Sequence, residues 1–113
     1  MKLWIDDVTP KPKGYFPWVR SVNGAKQTIE LIEYSRYLTS ALERTPPEID
    51  TIELIDIGYD AGDFVSDGGD YIKLLEWLEE TGRNYPIRIH SANPVGVQNM
   101  RRIIQRNGWE EVK

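Results

Sequence analysis

Apolar runs alternate with amphipathic stretches along the chain, and this alternation predicts the secondary structure. Three strands are expected in KLWIDD (residues 2–7), DTIELIDIG (residues 50–58) and YPIRIHS (residues 85–91). Shorter strands are expected in WVRSV (residues 18–22) and WEEV (residues 109–112). A continuous apolar run, rather than a strict apolar–polar alternation, is typical of strands buried on both faces of a parallel sheet.

The first helix is expected to begin after Ser21 or Asn23, either of which can cap it. Its apolar residues at i, i+4 and i+7 form one stripe: Ala25, Ile29 and Ile32. The pattern persists to about Leu42. The segment RTPPE (residues 44–48) then stops the helix, because proline does not fit a helix interior.

Two more helices are expected after the glycine- and aspartate-rich loop YDAGDFVSDGGD. The second helix ends at Gly82, and three polar residues are candidates for its N-cap: Ser66, Asp67 and Asp70. Its apolar stripe has three- and four-residue spacing: Tyr71, Leu74, Leu75 and Leu78. The third helix starts with Asn93 as N-cap and Pro94 at the first helical position, and it ends at Gly108.

Strands that alternate with helices predict an α/β domain with a mostly parallel sheet and helices on both faces. The 113 residues are enough for one domain, residues 1–113. The chain has no cysteine, which excludes disulfides and thiolate chemistry. We expect a cytoplasmic protein without membrane contact, because we find neither a signal peptide nor an apolar stretch of about 18 residues.

The formal net charge of −4 argues against general binding to a nucleic-acid backbone. The stretch NMRRIIQRNG carries three arginines, which we interpret as a solvated helix face. A nucleic-acid binder without catalysis is therefore the weakest functional class, because no motif combines aromatic and basic residues.

Polar residues follow three of the predicted strands, and the carboxyl ends of parallel strands meet at one edge of the sheet, where ligands bind. These residues are Asp6, Asp7, Asp60, Asp63, His90 and Ser91. Carboxylate oxygens suit Mg²⁺, which would also relieve the repulsion between neighbouring acids. His90 could act as a general acid or base, or hold a phosphate oxygen. Ser91 and the start of the helix at residues 94–96 could bind an anion.

Each motif also has a purely structural interpretation. Adjacent aspartates can simply open a loop, a single histidine in an α/β protein is often structural, and the stretch after residue 58 can be a solvated turn. The expected convergence of these residues is what favours a functional site.

Three segments together resemble the cyclic-phosphate processing receiver-like family, a compact relative of two-component receiver domains: LWIDDVTPKPKGY, YDAGD followed by GGDYI, and IHSANPVGVQNM. The resemblance covers nearly the whole chain. It implies a three-layer α/β/α fold of the flavodoxin type. It also implies metal-assisted processing of phosphate esters, notably cyclic phosphates of nucleotides or RNA ends, with Mg²⁺ or Mn²⁺ as cofactor.

The resemblance also assigns roles to individual residues. It implies that Asp6, Asp7 and Asp60 bind the metal and that Asp60 and His90 are catalytic. The implied phosphate-binding residues are Ser91, Asn93 and Gly96.

The chain departs from the family at one position. Alignment on YDAGD places Gly58 where receivers have the phosphoacceptor aspartate, and glycine has no side chain to phosphorylate. Asp56 lies two residues earlier on the same strand face and would substitute only if the register slipped.

Two functions stay open at this point. The first is a metal-dependent phosphoesterase in which water attacks the phosphorus. The second is a pseudo-receiver that binds a protein partner, with Trp109 and the nearby arginines as the contact surface.

Overall fold

A computed structural model describes residues 1–41 and 51–113 of the chain. In chain order the elements are β1 (Lys2–Ile5), β2 (Trp18–Val19), α1 (Val22–Ala41), β3 (Leu54–Ile57), a 3₁₀ turn (Gly62–Phe64), α2 (Ile72–Glu80), β4 (Ile87–Ile89) and α3 (Pro94–Asn107). The predicted end of the first helix at Leu42 and the RTPPE segment lie outside the described residues.

The four strands form one parallel sheet in the order β2–β1–β3–β4. Ile5 pairs with Val19 on one side and with Ile57 on the other, and Ile57 pairs with Ile89. The predicted terminal strand is reduced to one parallel bridge between Ile87 and Glu111. The expected α/β class with a parallel sheet is confirmed, and it is consistent with a receiver-like, flavodoxin-type fold.

One hydrophobic core joins the sheet to all three helices. The strand residues in this core include Leu3, Ile5, Ile55 and Ile57, which point to the same face because side chains alternate along a strand. Helix α2 contacts both α1 and α3. The sequence predicts helices on both faces of the sheet, whereas the described helices lie together on this one face.

The residue Trp109, expected at a partner surface, is instead part of the core and only 8% exposed. Two arginines of α3 are also engaged: Arg101 pairs with Glu111, and Arg106 pairs with Glu79. Trp109 is therefore not an exposed contact residue, and partner binding at this region stays a prediction. The interpretation of the arginines as a solvated face is confirmed for Arg102 and Arg106, which are exposed, while Arg101 is half-buried.

The helix caps follow the sequence in two cases and depart from it in one. Ser21 accepts a hydrogen bond from the Gly24 N–H (3.0 Å), and Asn93 accepts one from the Gly96 N–H (3.0 Å), so both predicted caps are confirmed. The predicted polar cap of α2 is wrong. Tyr71 occupies that position without a side-chain cap, and Asp70 instead accepts from the Ala61 N–H.

The opposite face of the sheet carries polar and aromatic side chains, including Trp4, Asp56 and Arg88. The loop at residues 8–17 reaches back to this face. The Phe16 N–H donates to the Lys2 carbonyl (2.9 Å), and the Tyr15 hydroxyl donates to the Asp56 carboxylate (2.6 Å). This face holds the polar residues from which a functional site is built.

Among the described residues, no helix has both the length and the apolar character needed to cross a membrane.

Candidate active site

Four residues stand in a row where the strands end: Arg20, Asp6, Gly58 and His90. Each directly follows a residue of the paired row that Val19, Ile5, Ile57 and Ile89 form across the sheet. Backbone hydrogen bonds fix this level of the sheet: Asp6 N–H to Val19 (3.2 Å), Gly58 N–H to Ile5 (3.0 Å) and His90 N–H to Ile57 (3.0 Å). Because side chains alternate along each strand and the four positions lie at one level of the sheet, the four residues share one edge and one face.

The imidazole of His90 is held between two carboxylates. Its Nδ1 lies 2.6 Å from Asp56 Oδ1, and its Nε2 lies 2.8 Å from Asp6 Oδ2. Asp56 contacts the ring without any slip in register. It lies two residues before Gly58 on the same face of β3, next to β4, the strand that His90 follows. Both ring nitrogens therefore face a carboxylate oxygen, which favours the doubly protonated imidazolium.

Trp4 packs against the imidazole of His90. Its ring stacks on His90 with 3.9 Å between ring centroids and 6° between planes. Its indole N–H donates to the Thr9 carbonyl (2.8 Å), and Tyr15 packs edge-on against the indole. A stacked aromatic face restricts the imidazole plane and favours its cationic form.

Asp56 is fully buried, and each of its oxygens has a partner. Besides His90, the carboxylate accepts hydrogen bonds from Tyr15 Oη (2.6 Å) and Arg88 Nη1 (2.9 Å). A buried carboxylate is costly unless it is paired and hydrogen-bonded. Here three donors, two of them able to carry a positive charge, satisfy that requirement.

The contacts shift each pKa of this group in the direction that favours the charged form. Burial raises the pKa of Asp56, but hydrogen bonds from His90, Tyr15 and Arg88 outweigh it and leave the pKa lowered. Burial likewise raises the pKa of Asp6, and the Thr9 N–H, His90 and the Val8 N–H bring the net pKa below its usual value. For His90, burial lowers the pKa, while Asp56 and Asp6 raise it further than burial lowers it.

Gly58 lies directly beside the Asp6–His90 pair. A Cβ at this position would be 3.5 Å from both Asp6 Oδ2 and His90 Nε2. That is an ordinary van der Waals separation, so the missing side chain leaves room for about one methyl-sized group against both atoms.

The remaining predicted acids take other positions. Asp7 is half-buried and packs against Gly62, whose φ of +54° and lack of a Cβ permit this contact, because a Cβ there would overlap Asp7 Oδ2. Asp60 and Asp63 are exposed. The structure thus brings Asp6 and His90 into contact and leaves the roles predicted for Asp7 and Asp60 as predictions.

The predicted phosphate-binding residues build the turn after β4. Ser91 Oγ accepts from the Asn93 N–H (3.2 Å), and Asn93 caps α3. Gly96 is buried against the ring of Tyr59, where a Cβ would come within 2.5 Å of ring atoms. These contacts fix the position of the helix start, and anion binding there stays a prediction.

The sequence profile of the cyclic-phosphate processing Receiver domain matches residues 1–106. The chain belongs to this family. No curated protein and no solved structure gives a significant match to the chain.

The oxygens of Asp6 are the first ligands to consider in this receiver domain for the metal that the family resemblance implies. Both oxygens of Asp6 are engaged: Oδ1 accepts from the N–H groups of Val8 (2.9 Å) and Thr9 (2.7 Å), and Oδ2 faces His90. Within residues 1–41 and 51–113, no three histidine, aspartate or glutamate side chains converge as a metal site. As they stand, these residues do not fit a metal bound at Asp6, and the Mg²⁺ or Mn²⁺ site stays a prediction that requires Asp6 to exchange His90 for the ion.

Sequence reasoning missed part of this receiver domain's polar group. The sequence predicts a role for Asp56 only as a replacement phosphoacceptor, and it predicts no site role for Tyr15, Trp4 or Arg88. One signal was present, because a lone aspartate inside the buried run LIDI must find partners on neighbouring strands. Tyr15 gave no signal, since its contact depends on the path of a loop with three prolines.

Proposed function

We propose that this domain opens the ring of a cyclic phosphate ester by adding water, with His90 as the proton donor to the departing oxygen. The observation that supports the proposal is the position of His90, held at both nitrogens by Asp6 and Asp56 where the parallel strands end. The name of the family points to the same class of ester.

Asp56 orients His90 and keeps it charged. Because its carboxylate is fully buried and faces Nδ1, the imidazole is fixed with Nε2 toward Asp6 and Gly58. The raised pKa of His90 favours the protonated imidazolium, which is the form that a general acid needs. Asp56 is thus a positioning residue, while His90 is the catalytic one.

The proton balance of the step uses Asp6 and His90 as a pair. Water adds to the phosphorus, one ring P–O bond breaks, and the proton on His90 Nε2 passes to the departing oxygen. Asp6 Oδ2, which loses its hydrogen-bond partner at that moment, accepts a proton from the attacking water. That proton then returns to Nε2 across the 2.8 Å contact, so the pair is regenerated and one water has been added.

The room beside Gly58 gives the ester access to both atoms of this pair. An atom at the missing Cβ position contacts Asp6 Oδ2 and His90 Nε2 at once. A receiver phosphoacceptor would fill the same space, so the glycine fits direct attack by water better than a phosphoenzyme route.

The test is hydrolysis of 2′,3′-cyclic AMP by the full chain, followed by ³¹P NMR. His90→Gln is expected to reduce the rate by about 100-fold or more, the usual contribution of a general acid. Asp63→Asn is the matched control, because Asp63 is an exposed acid of the same loop edge. Wild-type activity that His90→Gln leaves unchanged contradicts the proposal.

A pseudo-receiver is the second candidate, and Gly58 is the observation that favours it. A receiver without its phosphoacceptor keeps the fold but not phosphoryl signalling. Helix α1 also presents Leu31, Tyr34 and Tyr37 to solvent, with 65%, 59% and 67% exposure, which suits a protein-binding module. This candidate predicts no hydrolysis with or without Mg²⁺, and hydrolysis that depends on His90 would reject it.

A further inference from the structure

Arg20 is the outermost member of the row formed by Arg20, Asp6, Gly58 and His90. Its guanidinium lies over the ring of Trp18, 4.0 Å from the centroid, and 5.7 Å from the centroid of Phe64. Its carbonyl accepts a hydrogen bond from the buried Tyr71 hydroxyl (2.7 Å), which fixes the backbone beneath it. Arg20 is therefore held in place at both its main chain and its side chain.

The hydrogen-bond donors of Arg20 are not used by a carboxylate. Among the described residues, no aspartate or glutamate lies within salt-bridge distance of its guanidinium. The Trp18 ring attracts the guanidinium through its π face, which is a cation–π contact and not a hydrogen bond to its N–H groups. A guanidinium offers five such donors in a fork that matches phosphate oxygens.

A groove of about 470 Å³ lies beside Arg20. Its lining includes Trp18, Arg20 and Phe64, the α1 residues Gln27 and Leu31, and one carboxylate, that of Asp67. This volume is within the usual range for small-molecule sites, about 300–1,000 Å³. Aromatic and aliphatic surface beside an amide and a guanidinium suits a ligand with a flat organic part and an anionic group.

The groove is joined to the site around His90. The indole N–H of Trp18 donates to the Asp6 carbonyl (2.9 Å), so one residue forms a wall of the groove and contacts the site. Arg20 follows Val19, which pairs with Ile5 just before Asp6. A ligand in the groove therefore lies at the Arg20 end of the row, one strand away from Asp6.

The charges at this edge explain why an anionic ester needs Arg20. Asp6, Asp7 and Asp60 are acidic, and the positive charge of His90 is shared by two carboxylates. Arg88 is paired with the buried Asp56. A phosphate approaching the edge meets repulsion unless a cation without its own carboxylate is present, and Arg20 supplies one.

We propose that Arg20 binds the phosphate of the ester and that the groove beside it holds the organic part of the ligand. The inference deepens the proposed function, on which it rests for the class of ligand. It assigns phosphate binding to Arg20 at the β2 end of the row and proton transfer to Asp6 and His90, so the two tasks fall on different residues.

The experiment measures binding of 2′,3′-cyclic AMP and, separately, of inorganic phosphate to the full chain by calorimetry. Arg20→Gln is expected to weaken binding of the nucleotide about tenfold or more, since charged hydrogen bonds are lost. Arg20→Lys is expected to recover part of the affinity, because lysine keeps the charge but not the fork. Arg102→Gln is the matched control, an exposed arginine of α3 whose described contact is with Asn99, and it should change the affinity less than twofold.

A second variant tests the groove itself. Gln27→Trp adds bulk at an exposed position of α1 that lines the groove. It is expected to weaken the nucleotide about tenfold while leaving inorganic phosphate within twofold, because only the organic part is displaced. Circular dichroism checks that each variant is folded.

The outcomes separate this inference from the proposed function. Saturable binding that Arg20→Gln removes, without hydrolysis by the wild type, supports the Arg20 site and rejects the enzyme. Hydrolysis whose KM is unchanged in Arg20→Gln supports the enzyme and overturns the Arg20 site. Equal losses in Arg20→Gln and Arg102→Gln, or no saturable binding of either probe by the wild type, also overturn it.

Discussion

Replacement of Asp56 is the most informative perturbation of the polar group, because this carboxylate is fully buried and has three donors. Asp56→Ala leaves the imidazolium of His90 with one carboxylate and removes the acceptor for Tyr15 and Arg88. Breaking a buried charge pair by removing one partner costs about 3–5 kcal/mol. Asp56→Asn keeps the size and an acceptor oxygen and loses the charge, so about 1.5–3 kcal/mol is expected.

These free energies convert into melting temperatures through the entropy of unfolding. At about 2.1 cal/mol/K per residue, a chain of 113 residues has an unfolding entropy near 0.24 kcal/mol/K. Asp56→Ala should therefore lower Tm by about 12–20 °C, and Asp56→Asn by about 6–12 °C. Tyr15→Phe removes one hydrogen bond to the same carboxylate and should lower Tm by about 4 °C.

The assay is thermal unfolding followed by circular dichroism at pH 7, with urea denaturation as an independent measure of the free energy of unfolding. Asp60→Asn is the control, because it neutralises an exposed aspartate and should change Tm by no more than about 2 °C. If Asp56→Asn and Asp60→Asn lower Tm equally, the three hydrogen bonds to Asp56 do not stabilise the fold, and the account of the site is refuted.

Three further predictions use the same site. The raised pKa of His90 gives stability that is complete below about pH 6.5 and is lost as pH rises through the folded pKa; the lowered pKa of Asp6 gives stability that is present above about pH 3.9 and is lost as pH falls through its folded pKa. Tm measured from pH 3 to 10 should show both declines. A wild-type curve without a fall above neutral pH would contradict the raised pKa of His90. The same fall in His90→Gln would also contradict it. Gly58→Ala should change Tm by only a few degrees, because its Cβ meets nothing closer than 3.5 Å, yet abolish hydrolysis of 2′,3′-cyclic AMP; full activity would show that the space beside the glycine is not used. Millimolar Mg²⁺ should raise Tm more in His90→Ala than in the wild type, because the variant frees Asp6 Oδ2, and equal shifts would mean that the ion does not compete with His90.

The parallel arrangement of the strands was predictable because their apolar runs are long enough to specify burial. LWI is a continuous apolar run, LIDI is interrupted only by Asp56, and helix signals separate the later strands. From parallel strands it followed that the ends of β1 and β4 meet, which is why Asp6 and His90 were expected at one edge. The N-caps Ser21 and Asn93 were predictable for a similar reason, since their side chains act on backbone three residues away.

The contacts that depend on register or on loop paths were not predictable in the same way. Asp56 contacts His90 because the register of β3 and β4 places Asp56 opposite Arg88, two residues before His90 on the same face. The register of two strands leaves no local mark in a sequence. Tyr15 reaches Asp56 from the loop at residues 8–17, although the two residues are 41 positions apart in the sequence. Asp70, expected as a cap, instead accepts the Ala61 N–H within the loop, a choice that local propensity does not determine.

The alignment of Arg20, Asp6, Gly58 and His90 at the ends of four different strands has a consequence for how this domain can diversify. Their spacing is set by the backbone ladder, so it is as rigid as the sheet itself. Changes in the connecting segments at residues 8–17 or 59–70 can alter what reaches these residues without moving them apart. A one-residue insertion within any strand, by contrast, would turn that strand's member to the helix-covered side and dismantle the row.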